Sequence, residues 1–375
     1  MARHRFTLAA TALGVGLTAV AVAAGTAGQA TASEPSLAPA AAASASSAAA
    51  VESAAVSAAS ASSRSGSVKG LRILIVNDDS IQGQSASGSD GKGLYALRHA
   101  LCAAGADVIA VGPWTVQSGM GGRITLTGPM TVQQVQPPAG YGTDCAGAPT
   151  GGRVFGVCAA AAPCVTATAS TPASPSGSPS DAAIIALTKF IPDNYWPDGP
   201  DLVVSGINFG QNDAVTVYHS GTDSALVTAH RLGSPGIAFS EELTTTCLAG
   251  QGSCPEYTKA AAFATRLIGA VRKAHLITPK LALNVNYPHL EPGQRARRPE
   301  LNVLGQCTAI NFGPSGSVPA EGGTYSMGLV PSCKETTRNA DTTALAHKHI
   351  SIVPFDGDWT GKAPAGLRGL IRNLG

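Results

Sequence analysis

The sequence has no Cys-x-x-Cys pair and no Cys/His spacing of the kind that holds zinc, which argues against a zinc-stabilised fold. It has no long basic run, and its formal net charge is only +2. A chain that binds nucleic acid as a polymer carries a larger electrostatic footprint. No Gly-x-Gly-x-x-Gly follows the first strand-like run, where acid stands in place of glycine; this counts against a Rossmann-type nucleotide-binding protein without hydrolysis. No internal repeat is found.

Large apolar residues are also scarce from Ser33 to Ser67, which is almost entirely Ala and Ser with some Pro. Such a stretch cannot offset its own chain entropy, and a disordered linker is expected over 33–67. Ahead of it, Arg3, His4 and Arg5 precede an apolar stretch from Phe6 to Ala24, and Ala30-Thr31-Ala32 offers a small-residue cleavage site. This is the pattern of a secretory signal over 1–32; a membrane anchor is the alternative, weakened by the many Ala, Gly and Thr. A secreted chain without stable membrane insertion is expected. All eight cysteines follow the signal, and an even count in an oxidising compartment favours disulfides. Cys247 with Cys254 and Cys307 with Cys333 are the closest downstream pairs, while Cys145, Cys158 and Cys164 share one loop.

What is present is an α/β pattern. Ile73 to Val76 is a short aliphatic run that reads as a strand buried on both faces, and it ends in Asn77, Asp78 and Asp79. Leu94, Leu97 and Leu101 mark a helix from Gly93 to Ala104, and Ala106 to Val111 is a second strand. A glycine-containing loop with Gln117-Ser118-Gly119 follows, and another strand is expected from Arg123. Residues 132–176 are rich in Pro, Gly, Ala, Ser and Thr and are expected to form an insertion outside the core sheet. Ser180 or Asp181 opens a helix, Asp201 to Ser205 is a third strand, and Ser220-Gly221-Thr222 leads onto a helix N-terminus, either as an anion-binding turn or as an ordinary cap. Further strands are expected at 235–240 and 281–285, with a helix over 256–275 between them. The core domain spans 68–290 and a β-rich extension occupies 291–375.

Asp78, Asp79, Ser118 and Asn208 thus fall at three strand ends, the usual site of chemistry in an open α/β sheet. Their oxygen-only donor set suits a hard divalent cation such as Mg²⁺ or Mn²⁺, which polarises phosphoryl groups.

Asn77-Asp78-Asp79, Ser118-Gly119, Gly177-Ser178-Pro179-Ser180-Asp181, Ser205-Gly206-Ile207-Asn208-x-Gly210-x-Asn212, Ser220-Gly221-Thr222, Asn284-Val285-Asn286 and Asp341 with Ser351-Ile352-x-Pro354 stand in an order and context that resembles the SurE family of metal-dependent 5′/3′-nucleotidases. The resemblance covers about residues 70–356. It implies a Rossmann-like three-layer α/β/α sheet with a C-terminal β-rich extension exchanged between subunits of a homodimer or higher homo-oligomer. It also implies one divalent metal ion per subunit held by Asp78, Asp79, Ser118 and Asn208, with Asp78, Asp79 and Asn208 catalytic. Asn212, Ser220, Gly221 and Thr222 look like the receiver of the substrate phosphate, on a small phosphate ester such as a nucleoside monophosphate. The chain departs from the family at Ser80, where Gly is usual, at Gln117, where Arg is usual, at Phe209 and Gln211, and in the 132–176 insertion. A broad-specificity acid phosphatase and a non-catalytic secreted binding protein are the remaining readings. His219, His230, His347 and His349 lie near the motifs but are read as surface or packing residues.

Overall fold

The computed structural model describes residues 66–83, 91–168, 170–317, 320–358 and 360, with Leu367 and Ile371. The expected signal and nearly all of the expected linker lie outside these residues. The chain builds β1 (Arg72–Val76), α1 (Lys92–Ala103), β2 (Asp107–Pro113), β3 (Thr131–Gln134), β4 (Val154–Cys158), α2 (Pro179–Ile185), α3 (Ile191–Asn194), β5 (Leu202–Phe209), α4 (Gly221–Arg231), β6 (Gly236–Glu241), α5 (Thr245–Leu248), α6 (Thr258–Lys273), β7 (Ala282–Tyr287), β8 (Arg297–Leu301), β9 (Phe312–Ser315), β10 (Ser326–Leu329), α7 (Asp341–Ala346) and β11 (His349–Pro354).

Nine strands form one sheet in the order β3-β4-β2-β1-β5-β6-β7-β11-β8. The run from β4 to β7 is parallel; β3 joins β4 and β11 joins β7 antiparallel, and β8 lies parallel to β11. β1 is buried along its aliphatic stretch because both faces are covered. Ile73 and Ile75 enter the core under α1 and α6, with Leu94, Leu97, Leu101, Ala264 and Ile268. Leu74 and Val76 point the other way, against Ala182 and Ala186 of the α2 side and Ala225 and Ala229 of α4. This alternation across a strand with helices on both sides makes the three-layer α/β/α sandwich.

The expected strand at Arg123 does not form: 123–130 is irregular and β3 starts at Thr131. The segment expected outside the core sheet instead extends it. Val154 to Cys158 is buried throughout and pairs with β2 from Ala110 to Pro113. Two disulfides hold this region, Cys102–Cys145 to α1 and Cys158–Cys164 within the loop. The Cys247–Cys254 and Cys307–Cys333 pairs form as their proximity suggested.

Strand order reverses between β1 and β5, since the chain leaves β1 toward β2 and β4 and returns to β5 on its other side. A crevice opens at the carboxyl ends of strands at such a reversal. Asn77, Asp78 and Asp79 follow β1 at that crevice, and Asn208 is the last residue but one of β5.

Candidate active site

Asn77, Asp78, Asp79 and Ser80 are all nearly inaccessible, at 2% exposure or less. Charged groups so deep must be hydrogen-bonded or paired. Asn77 begins the arrangement by accepting the Asp78 N–H on its Oδ1 at 2.8 Å. Asp78 then points at the start of α4, where the Thr222 hydroxyl donates to its Oδ1 at 2.8 Å. Gly221 sits so close that an added Cβ would lie 2.7 Å from the Asp78 Cβ and 2.8 Å from its Oδ2; only glycine permits that approach. Burial pushes the Asp78 carboxyl up, against the pull of the Thr222 hydroxyl and the Gly221 and Thr222 amides.

Asp79 faces the neighbouring loops. Its Oδ1 accepts from the Ser118 hydroxyl at 3.2 Å and its Oδ2 from the Phe209 backbone N–H at 2.9 Å. Ser118 is brought in because Gln117 N–H donates to the Asp78 carbonyl at 2.7 Å, and Gly121 N–H ties the same loop to the His219 carbonyl at 3.1 Å. Asn208 is buried, and its Nδ2 donates to the Gly210 carbonyl at 2.9 Å. That bond orients the amide and leaves Oδ1 as its acceptor face.

Ser80 carries a φ of +85°, a backbone conformation in which glycine is unstrained. Its hydroxyl accepts the Gln82 N–H at 3.0 Å and donates to the Trp114 carbonyl at 3.3 Å, so a side chain with short polar reach holds the turn.

The residues expected at the substrate phosphate divide. Gly221 and Thr222 touch Asp78, as above. Ser220 caps α4, its hydroxyl accepting the Asp223 N–H at 3.0 Å. Asn212 sits in an amide lattice: its N–H donates to Asn286 Oδ1 (2.8 Å), its Nδ2 to Ser240 Oγ (3.0 Å), and its carbonyl accepts from Asn284 (2.7 Å) and Asn286 (2.9 Å). This lattice explains the paired asparagines at the end of β7: they pin the chain leaving β5. Asp341 does the same from the C-terminal extension, accepting the Ala214 N–H at 3.0 Å and the Gly305 N–H at 2.8 Å.

Several acidic groups behind this edge had no signature in the sequence. Burial, with the charges of Asp78 and Asp341, holds the Asp223 carboxyl well above its ordinary range. Burial pushes Asp213 up to about 7, with the Thr308 hydroxyl opposing and Asp341 and Glu242 adding to the shift. Glu241, at the end of β6, is also raised by burial to about 7 although two backbone N–H groups oppose the shift. Tyr257 is buried, and burial together with the charges of Asp79 and Glu241 keeps its phenol protonated. Its arrival from the start of α6 is a tertiary fact that no local pattern announces.

Among the described residues the side-chain partners seen for Asp78 and Asp79 are Thr222 and Ser118, not His219, His230, His347 or His349. His219 and His347 are exposed, and His349 contacts Glu300 (3.1 Å) and the Arg298 carbonyl (3.0 Å).

The donor set fits a hard cation. No Lys or Arg pairs with the buried Asp78 among the described residues; the Ser118 hydroxyl reaches Asp79, and Asn208 immediately precedes the Phe209 N–H that Asp79 accepts. Among the described residues no three His, Cys, Asp or Glu side chains converge as a metal-holding group, so a cation held here would also need amide or hydroxyl oxygens.

The family model described as Survival protein SurE matches residues 73–307. The chain is 28% identical over 290 residues to the 5′-nucleotidase SurE of Geotalea uraniireducens (strain Rf4), covering 77% of this chain and 94% of that protein. It is 29% identical over 294 residues to the 5′-nucleotidase SurE of Vibrio parahaemolyticus serotype O3:K6 (strain RIMD 2210633), covering 78% and 92%. The crystal structure of the Sure protein from Aquifex aeolicus superposes with a TM-score of 0.54 at 22% identity, covering 80% of this chain and 98% of that one; it is similar in fold. With the motifs at one sheet edge and the family model spanning most of the sheet, this chain belongs to the SurE family.

Proposed function

We propose that the chain is a divalent-cation-dependent phosphomonoesterase that hydrolyses nucleoside 5′- or 3′-monophosphates and is exported from the cell. The observation that carries this reading is the convergence of two buried carboxylates with Ser118 and the Phe209 amide at the reversal point of the sheet. Its nucleotide preference is supported by the relatives named 5′-nucleotidase SurE, and its export by the charged-then-apolar start of the sequence.

Asp78, Asp79, Ser118 and Asn208 would hold one Mg²⁺ or Mn²⁺ ion, which when bound withdraws charge from the phosphoryl oxygens. Asp78 is fixed by Thr222 and the start of α4, and Asp79 by Ser118 and Phe209, so neither carboxylate needs to reorganise during the reaction. The Ser220–Thr222 turn, backed by the Asn212 lattice, borders the phosphate. Water adds to phosphorus on a side where a carboxylate oxygen orients it, and the ester oxygen departs and takes up a proton. The homo-oligomer implied by the family is proposed to form through the β9–β10 hairpin, where Phe312, Tyr325 and Met327 are exposed.

Phosphate release from 5′-AMP and p-nitrophenyl phosphate, with Mn²⁺ and with EDTA, tests the reading. Asp79→Asn should lower turnover by more than about 100-fold, since loss of groups that merely support metal ligands already costs 10- to 100-fold. Undiminished turnover by Asp79→Asn, or full activity in EDTA, would overturn it.

A further inference from the structure

A cavity of about 160 Å³ lies at the same carboxyl edge of the sheet, by the ends of β6 and β7, with β5 standing between it and β1, which carries the carboxylates. It is lined by Glu241, Ser253, Glu256, Tyr257, Tyr287 and His289 among others. The register places it. Phe209 of β5 stands opposite Glu241 of β6, and Glu241 stands opposite Tyr287 of β7. Phe209 donates its N–H to Asp79 Oδ2 at 2.9 Å, and the next residue, Gly210, donates to the Glu241 carbonyl at 3.0 Å. Glu241 is therefore about one strand spacing, roughly 5 Å, from the backbone that holds a carboxylate of the active site.

We propose that this cavity is the leaving-group subsite, and that Glu241 accepts hydrogen bonds from the vicinal hydroxyls of the ribose of a nucleoside monophosphate. The proposal rests on the phosphomonoesterase reading above.

Glu241 is built to accept. Its Oε1 takes the Glu256 N–H at 3.3 Å and its Oε2 the Tyr257 N–H at 3.0 Å. A carboxylate has about four lone-pair sites, so about two remain after these anchoring bonds. The group is thus positioned without being saturated, and two neighbouring hydroxyls match the remaining capacity. The cavity wall is equally fixed: the Cys247–Cys254 disulfide closes the loop carrying Ser253, whose hydroxyl lies 3.0 Å from His289 Nε2. His289 in turn donates its backbone N–H to Glu242 at 2.8 Å. Tyr257 and Tyr287 are only 2% and 8% exposed, so neither offers a ring face on which a base could stack. Lys259 also lines the cavity, its Nζ donating to the Gln294 carbonyl at 3.4 Å, and the acceptor left for hydroxyl protons is Glu241. In a 5′-ester the sugar is also the part of the substrate that follows the phosphate directly.

The test uses the full chain with two substrates, 5′-AMP and its 2′,3′-dideoxy analogue, and two ligands, adenosine and 2′,3′-dideoxyadenosine. Wild type and Glu241→Gln are compared by kcat/KM and by calorimetric binding. At pH 8.5, above the value of about 7 to which burial raises Glu241, the acceptor is ionised; a hydrogen bond to a charged acceptor is worth about 1.5–3 kcal/mol, so wild type should favour 5′-AMP by roughly 10- to 150-fold. Glu241→Gln should lose most of that preference as a ratio, and adenosine should lose most of its binding advantage over the dideoxy compound. A purely structural role for Glu241 would lower both substrates together and leave the ratio unchanged, and that result, or an absent preference in wild type, overturns the proposal. Adenosine binding that depends on Glu241 in a chain that hydrolyses neither ester would sustain the subsite and sink the phosphomonoesterase reading instead.

Discussion

Asp213 provides a measurement in which the sign, not only the size, is set by the structure. It is 2% exposed, its Oδ1 has no hydrogen-bond partner, and burial raises its pKa from 3.8 to about 7. In the unfolded chain the group titrates near its ordinary value. Between about pH 4 and pH 7 the unfolded chain releases this proton while the folded chain keeps it, so the folded state binds more protons and stability falls as pH rises through that window. The full shift is about 3 units, and at about 1.4 kcal/mol per unit the ceiling on the loss is about 4 kcal/mol by pH 8. Asp213→Asn keeps the shape and cannot ionise. Urea unfolding of both proteins at pH 4.5, 6 and 8, at fixed divalent cation, should show the mutant gaining on wild type by about 2–4 kcal/mol as pH rises. A gap that does not change with pH, or that closes toward pH 8, would refute the assignment of a buried, protonated Asp213.

Thr222→Val removes the side-chain donor that Asp78 has among the described residues and leaves a buried charge short of a hydrogen bond, which costs about 1–3 kcal/mol; kcat should fall roughly 5- to 150-fold, and a variant with wild-type kcat would show that Asp78 does not depend on Thr222. The Cys102–Cys145 disulfide closes a separation of 43 residues, for which the chain-entropy relation gives about 4 kcal/mol. The double substitution Cys102→Ser with Cys145→Ser should lower the unfolding free energy by an amount approaching that figure, and peptide mapping of the unreduced wild type should recover the crosslinked pair; an uncrosslinked pair or an unchanged midpoint would count against the pairing.

Much of the site was legible because it is written locally. A buried strand that ends in adjacent carboxylates, a glycine-serine loop and an Asn-containing strand end are short patterns, and strand ends in an α/β alternation share one edge of the sheet. Ser80 was legible as a departure, and its positive φ gives the reason that glycine is usual there. β4 was not legible. Val-Phe-Gly-Val-Cys is brief and lies among glycines and prolines, and it becomes a strand only because β2 offers it an edge. Glu241 could not be singled out either, since an acid after a strand is ordinary until the register sets it beside Phe209 and a cavity.

The order of the elements, the alternation of Ile73 and Ile75 against Leu74 and Val76, and the oxygen-only character of Asp78, Asp79, Ser118 and Asn208 belong to the sequence alone, because they depend on residue type and on neighbours a few positions away. Tertiary structure decided what those atoms touch: Thr222 on Asp78 across 144 residues, Phe209 on Asp79 across 130, and Asn212 among the asparagines of β7. It also joined Cys102 to Cys145 and turned an expected insertion into an edge of the sheet. Such contacts are chosen by which surfaces pack together and which buried polar groups find partners, and no window of sequence contains both members of the pair.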